Sequence, residues 1–224
     1  MIKKFSNTSI FNSDYTYTRD IVKLIGSDSY DDVLDYGARE CPYKKFINHK
    51  TYQTLDIKQN SAETITHVVK PNQKADIKDN SFDLILLTDV IAHVSDANFV
   101  FAECYRLLKK NGTLFLTTPF IYRENGVPND HLRYTSFALE KILKNHGFTR
   151  FNQKKSGNFY YMIYTLINEK NIDNGEVVTN SIIFKYFFKL FNITILPLLN
   201  ISLFSLSVKP KSSSYRHLII TVKK

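Results

Sequence analysis

The sequence predicts an α/β fold: one domain built on a doubly wound, mostly parallel sheet with helices on both faces, for which three observations speak. Apolar runs of strand length (VLDYG, TLDI, FDLILLTDV and GTLFLTTPF) recur through the first two thirds of the chain, with segments of helical spacing between them. A length of 224 residues with 43% hydrophobic content suits one ordinary core and leaves little room for two. Several of the apolar runs also end in Asp, Gly or Thr, as they do where a parallel sheet offers the carboxyl ends of its strands to a ligand.

In chain order, DIVKLI (residues 20–25) has helical spacing and is closed by Gly26. DDVLDYG reads as a short buried strand ending in a turn at Gly37, and Tyr43 to Asn48 as the helix that follows. TYQTLDI is a second strand ending at Asp56, and ETITHVV is a strand candidate in the otherwise unassigned stretch 58–73. FDLILLTDV is the clearest strand, continuous and apolar on both faces. Asn98 to Lys109 is amphipathic, with Phe101, Cys104, Tyr105 and Leu108 on one side. Asn111-Gly112 is expected to end that helix and to start the strand GTLFLTTPF. Thr135 to Asn145 is a further helix closed by His146-Gly147. The expected organisation is a helical lead-in over 1–29, a ligand-binding core over 30–150, an apolar helical insertion or cap over 160–210 and a final strand over 215–224.

Thirty Lys and Arg against twenty-one Asp and Glu give a net charge of +9, compatible with an anionic partner such as nucleic acid, a lipid headgroup or a charged glycan. Nucleic acid is disfavoured, because no basic run is interleaved with aromatics. Cys41 and Cys104 stand in dissimilar contexts, which suggests neither a disulfide framework nor a cysteine zinc site. No metal is expected. The N-terminal stretch holds no apolar core of signal-peptide length, and a cytoplasmic location is expected. Ser181 to Val208 is strongly apolar, with no charge for nineteen residues after Lys189, yet it carries several polar residues and Pro197. It reads as a helical subdomain covering the sheet or acceptor site, as a homodimer surface, or as a peripheral helix on an anionic membrane aided by Lys209, Lys211 and Arg216.

The candidate binding residues follow the strands. After the first come Asp35, Gly37, Ala38 and Arg39, where Gly37 permits close approach of a ligand to the backbone. Asp56, at the end of the second strand and followed by Ile57, stands twenty-one residues after Asp35, a spacing at which a carboxylate accepts from ribose hydroxyls. After the later strands come Thr88, Asp89 and His93, then Thr118, Pro119, Phe120 and Tyr122.

These motifs in this order, continued by YRLLKKNGTLFLTTPF and VPNDHLRYTSFALEKILKNHGF over about residues 30–150, resemble the class I S-adenosylmethionine-dependent methyltransferases, and in particular the methyltransferase type 11 group. The resemblance implies a Rossmann-like fold whose last strand is antiparallel, for which YRHLIITVKK is the candidate. It implies that Asp35 and Gly37 shape a loop around the methionine part of S-adenosyl-L-methionine and that Asp56 holds the ribose. Asp76 and Ile77 would lie beside the adenine, and Thr88 and Asp89 along the sulfonium. It also implies methyl transfer to a hydroxyl of a glycan, lipid-linked sugar or other small acceptor, with base candidates Asp130, His131, Glu124 and His93. Asp130 alternatively braces Arg133. The chain departs from the family pattern at Arg39, which replaces a second glycine, at Ala92, which replaces a glutamate, and at Asn125, which replaces a histidine. The Arg39 guanidinium either clamps a cofactor carboxylate or narrows the pocket. In the second case the chain is a noncatalytic binding or partner subunit.

Overall fold

The computed structural model describes residues 15–157 and 215–224, together with Met162 and seven positions between 186 and 202. The lead-in before residue 15 and most of 160–210 lie outside the described residues. The elements are α1 (Tyr15–Ile25), β1 (Ser29–Tyr36), β2 (Asn48–Asp56), β3 (His67–Val68), β4 (Phe82–Thr88), α2 (Ala97–Leu107), β5 (Leu108–Pro119), α3 (Ser136–Asn145), β6 (Thr149–Ser156) and β7 (His217–Lys223). The strands form one sheet in the order β3-β2-β1-β4-β5-β7-β6. Pairing is parallel from β3 through β5, and β7 runs antiparallel to β5 from Thr113↔Lys223 to Pro119↔His217. The C-terminal decapeptide therefore supplies the expected antiparallel strand.

The sheet centre is apolar on both faces. Leu84 to Leu87 of β4, Val33 and Leu34 of β1, Leu114 and Leu116 of β5, and Leu218 and Ile220 of β7 are without exposed surface. Helix α2 lays Val100, Phe101, Cys104 and Leu107 into the core. It begins where Asp96 accepts from the amides of Asn98 and Phe99 at 3.0 and 3.2 Å, which satisfies donors that the first turn leaves unpaired. Thr135 caps α3 in the same way through the Ala138 amide. The starts of β1, β4 and β5 are held together by Lys109, whose Nζ lies 2.7 Å from Asp32 and 3.0 Å from Asp83.

Three local expectations are corrected. Tyr43 to Asn48 is not a helix: only a 3-10 turn over Lys44–Phe46 forms, because β2 already begins at Asn48 and the connection is too short for helical turns. The strand expected in ETITHVV shrinks to His67–Val68. Asn111-Gly112 does not separate α2 from β5. The helix ends at Leu107, and the strand begins at once and runs through the pair, with Asn111 at φ 64° and a register shift against Phe82 and Leu84, as at a bulge. Strand β6 was not anticipated.

The chain divides into two compact units. One holds Arg19–Lys155 with His217–Lys224 and contains nearly all of the sheet. The other holds Met1–Thr18 with Ser156–Arg216. In it Tyr215 and Arg216 are buried, and the Arg216 amide donates to the Ser156 carbonyl at 3.1 Å.

Candidate functional site

Strand order reverses between β1, which leads outward to β2, and β4, which leads to β5. The connections leaving β1 and β4 therefore part at this point and open a crevice beyond the carboxyl ends of both strands. Gly37 stands there at φ 77°, a conformation that favours glycine. A Cβ on it would lie 2.4 Å from Cγ2 of Val90. Val90 thus occupies the side-chain direction of Gly37, and the packing against it demands a glycine here. The helix N-terminus expected after the loop is absent.

The glycine loop is instead tied to the end of β2. The amides of Gly37 and Ala38 both donate to the Leu55 carbonyl, at 2.7 and 3.2 Å. The Arg39 amide donates to Oδ2 of Asp56 at 2.9 Å, and Oδ1 of Asp56 accepts from the Ile57 amide at 2.7 Å. The Arg39 carbonyl accepts from Nδ2 of Asn60 at 2.6 Å, and the same side chain fixes Thr64 through Nδ2 and Oδ1. This scaffold holds Arg39 and Cys41 at φ 45° and 51°. The Arg39 side chain is exposed and makes no ion pair among the described residues.

Asp35 is the most unusual group. It is 1% exposed; Oδ2 accepts from the Tyr52 hydroxyl at 2.7 Å, while Oδ1 is buried without a partner. Burial pushes its carboxyl up to about 6, against the pull of the Tyr52 hydrogen bond and with a further push from Asp56. Tyr52 is itself raised, by burial first and then by Asp35. Its ring lies 5.1 Å from that of His49 and 5.3 Å from Nζ of Lys44. Tyr52 was not singled out from the sequence, although it shares the Thr54 and Asp56 face of β2 by period-two alternation.

Beyond β4, Asp89 is at φ 55° and its amide donates to the Thr117 carbonyl at 3.0 Å; the Thr117 hydroxyl donates to its Oδ1 at 3.1 Å. Thr88 is half-buried at the strand end. His93 lies in a turn, and its Nδ1 is 2.8 Å from the Asn129 carbonyl. A carbonyl only accepts, so Nδ1 carries a proton, and in the neutral ring Nε2 is the acceptor. The loop after β5 docks on this turn, with the amides of His131 and Leu132 donating to the Ala92 carbonyl at 2.8 and 3.4 Å.

Within that loop Asp130 accepts from both terminal nitrogens of Arg133, at 2.6 Å from Nη2, and from the Asn125 amide at 2.7 Å. The Arg133 hydrogen bonds hold its carboxyl down at about 2. That makes it a poor proton acceptor, and of its two expected roles the brace is the one realised. Glu124 and the His131 side chain are exposed. Tyr122 meets His217, at the start of β7, with ring centroids 5.4 Å apart, a histidine that the sequence reading passed over. Asp76 is exposed and Ile77 half-buried. Arg106 fastens their segment by donating to the carbonyls of Ile77 and Ala75 at 2.7 and 3.2 Å while paired with buried Glu103. The structure thus gathers Asp35, Gly37, Ala38, Arg39, Asp56 and Ile57 into one cluster and links His93 to the His131 loop, while Asp76 and Ile77 hang on α2. Among the described residues, no three His, Cys, Asp or Glu side chains gather as a metal site would require.

The profile of the methyltransferase domain family matches residues 32–116. This stretch is similar to a methyltransferase domain. It is the family that the strand-end motifs resemble, and one that depends on S-adenosylmethionine. The domain is 32% identical over 85 residues to a ubiquinone biosynthesis O-methyltransferase of Pelagibacter ubique, a match covering 38% of this chain and 31% of that relative. Among solved structures, a possible histamine N-methyltransferase of Thermotoga maritima aligns at a TM-score of 0.59 and 15% identity, over 96% of this chain and 91% of its own. Phosphoethanolamine N-methyltransferase 2 of Haemonchus contortus, in complex with S-adenosyl-L-methionine, aligns at 0.57 and 14% identity. That alignment covers 94% of this chain, which spans only about half (52%) of the nematode enzyme. At such identities the structures establish a shared Rossmann-like fold.

Proposed function

We propose that this chain transfers the methyl group of S-adenosylmethionine to a hydroxyl of a small acceptor, such as a glycan or lipid-linked sugar. The observation that carries the reading is Asp35, a buried carboxylate with one oxygen unpartnered at the crevice where the strand order reverses. An ionised acid without a partner costs folding energy, and a ligand ammonium, such as that of the cofactor's methionine part, relieves the cost. Asp56 fits the same ligand, because each of its oxygens keeps a lone pair beyond the amide it already accepts, and the carboxylate can receive ribose hydroxyls.

The cofactor supplies an electrophilic methyl on a sulfonium, and the protein's task is to place the acceptor in line with it and to take up a proton. His93 is the best-prepared base, since its Nδ1 proton is spent on the Asn129 carbonyl and Nε2 accepts. With the methyl carbon–sulfur bond broken as the carbon–oxygen bond is made, leaving a neutral thioether, Nε2 of His93 would take up the hydroxyl proton and then return it to water. Glu124 and His131 are left as exposed alternatives. Oxygen as acceptor also agrees with the ubiquinone relative, whereas the nematode enzyme is named for an amine.

A second reading, a noncatalytic methyltransferase-like binding subunit, draws on Val90, which covers Gly37. Calorimetric titration separates the two. Binding of S-adenosylmethionine that weakens at least about tenfold in Asp56→Ala supports the first, on the scale of a hydrogen bond to a charged group. No binding at millimolar cofactor by a folded sample overturns it. Turnover assays with hydroxyl and amine acceptors then decide the acceptor atom.

A further inference from the structure

In the unit formed by Met1–Thr18 and Ser156–Arg216, the described apolar side chains beyond Met162 and before Tyr215 are all exposed. Tyr186 is 70% exposed, Leu190 62%, Ile195 52%, Leu198 68% and Leu199 37%, and all five positions are helical. Tyr186, Leu190 and Thr194 are four apart, and Ile195, Leu198, Leu199 and Ser202 follow i, i+3, i+4, i+7, so each set shares one helical face. The hydroxyls on these faces are already satisfied one turn back: Thr194 donates to the Leu190 carbonyl at 2.8 Å and Ser202 to that of Leu198 at 3.1 Å. Neither hydroxyl needs water.

The charge pattern in the sequence says what covers such a face. No Asp or Glu follows Glu176, and the uncharged stretch 190–208 is flanked by Lys185 and Lys189 on one side and by Lys209 and Lys211 on the other. Arg216, which the sequence would add to them, is buried. A second copy of the chain is a poor occupant, because a two-fold interface sets a patch against itself, and these lysines would meet their own kind with no acidic residue of the segment between them. Among the described residues no helix is long and apolar enough to cross a membrane. We propose that this face rests on an anionic lipid surface, its apolar side chains at the headgroup boundary and the flanking lysines on the lipid phosphates. The proposal holds whether or not the catalytic reading does.

Flotation of the full chain with phosphatidylcholine vesicles, with and without phosphatidylglycerol, tests it. The protein should float with the anionic vesicles only and be released as salt rises. Leu190→Glu with Leu198→Glu should weaken binding at least about tenfold, from the apolar area withheld, at unchanged circular dichroism. Each of Lys185, Lys189, Lys209 and Lys211 changed to Gln should weaken it about fivefold. Equal binding to neutral and anionic vesicles overturns the proposal, as does binding to neither, whether light scattering then finds a monomer or a concentration-dependent dimer.

Discussion

Changing Asp35 to Asn separates what this residue costs the fold from what it gives a ligand. The side chain keeps its shape and an oxygen to accept from Tyr52, but loses its charge and its titration. In the folded protein the carboxyl is pushed up to about 6, while unfolded chains ionise near 3.9, a gap of about 2 units or about 3 kcal/mol. The raised value means that the folded state holds its proton longer. As pH rises, the unfolded chain ionises first, so stability falls between about pH 4 and pH 6 and stays lowered above that. Urea unfolding of both proteins across this range should give equal stability at pH 4 and a variant about 2–3 kcal/mol more stable at pH 7. Calorimetry should show the opposite for function, with the variant binding S-adenosylmethionine roughly ten- to a hundredfold more weakly for want of a charged acceptor. Parallel stability curves for the two proteins would refute the burial argument. Undiminished cofactor binding would refute the ammonium assignment.

Tyr52→Phe removes the one hydrogen bond that pulls Asp35 downward, so the pH window of stability loss should keep its lower edge at about pH 4 and extend further upward, read by the same urea series. Gly37→Ala combines a contact of 2.4 Å to Val90 with φ 77° and should cost about 2 kcal/mol or more in thermal unfolding. Adding Val90→Ala should recover the contact but leave a residual strain of about 1 kcal/mol. Arg133→Met leaves Asp130 with only the Asn125 amide and should destabilise by about 1–3 kcal/mol, with the Asp130 carboxyl rising from about 2 in carbon-13 NMR titration. Arg39→Gly keeps the amide that Asp56 accepts and relieves φ 45°, so thermal stability should rise by about 1 kcal/mol; a fall would mean that the guanidinium has a structural partner.

Much of the sheet could be read from the chain because its strands are buried on both faces and therefore written as unbroken apolar runs, FDLILLT above all. The connection between β1 and β2 was misread because KKFIN carries helix formers, whereas the number of residues available, a tertiary constraint, decided the outcome. Strand β6 (TRFNQKKS) escaped because an exposed, charged strand beside β7 has no apolar signature. At the site, spacing pointed to Asp35 and Asp56, and the Asp130–Arg133 brace was among the expectations, but nothing hinted that Val90 fills the space above Gly37. Such contacts join residues tens of positions apart or depend on loop shape, and neither leaves a local pattern.

Asp56 is already employed by the bare chain, which uses both of its oxygens to fasten Arg39 and Ile57. Folding alone is reason enough to retain it, so finding an acid at this position in other chains is poor testimony that they use a cofactor. Asp35 is the opposite case. Its burial burdens the fold, and a lineage that abandoned the ligand would gain by losing it, which makes this one residue the better witness to whether the site is in use.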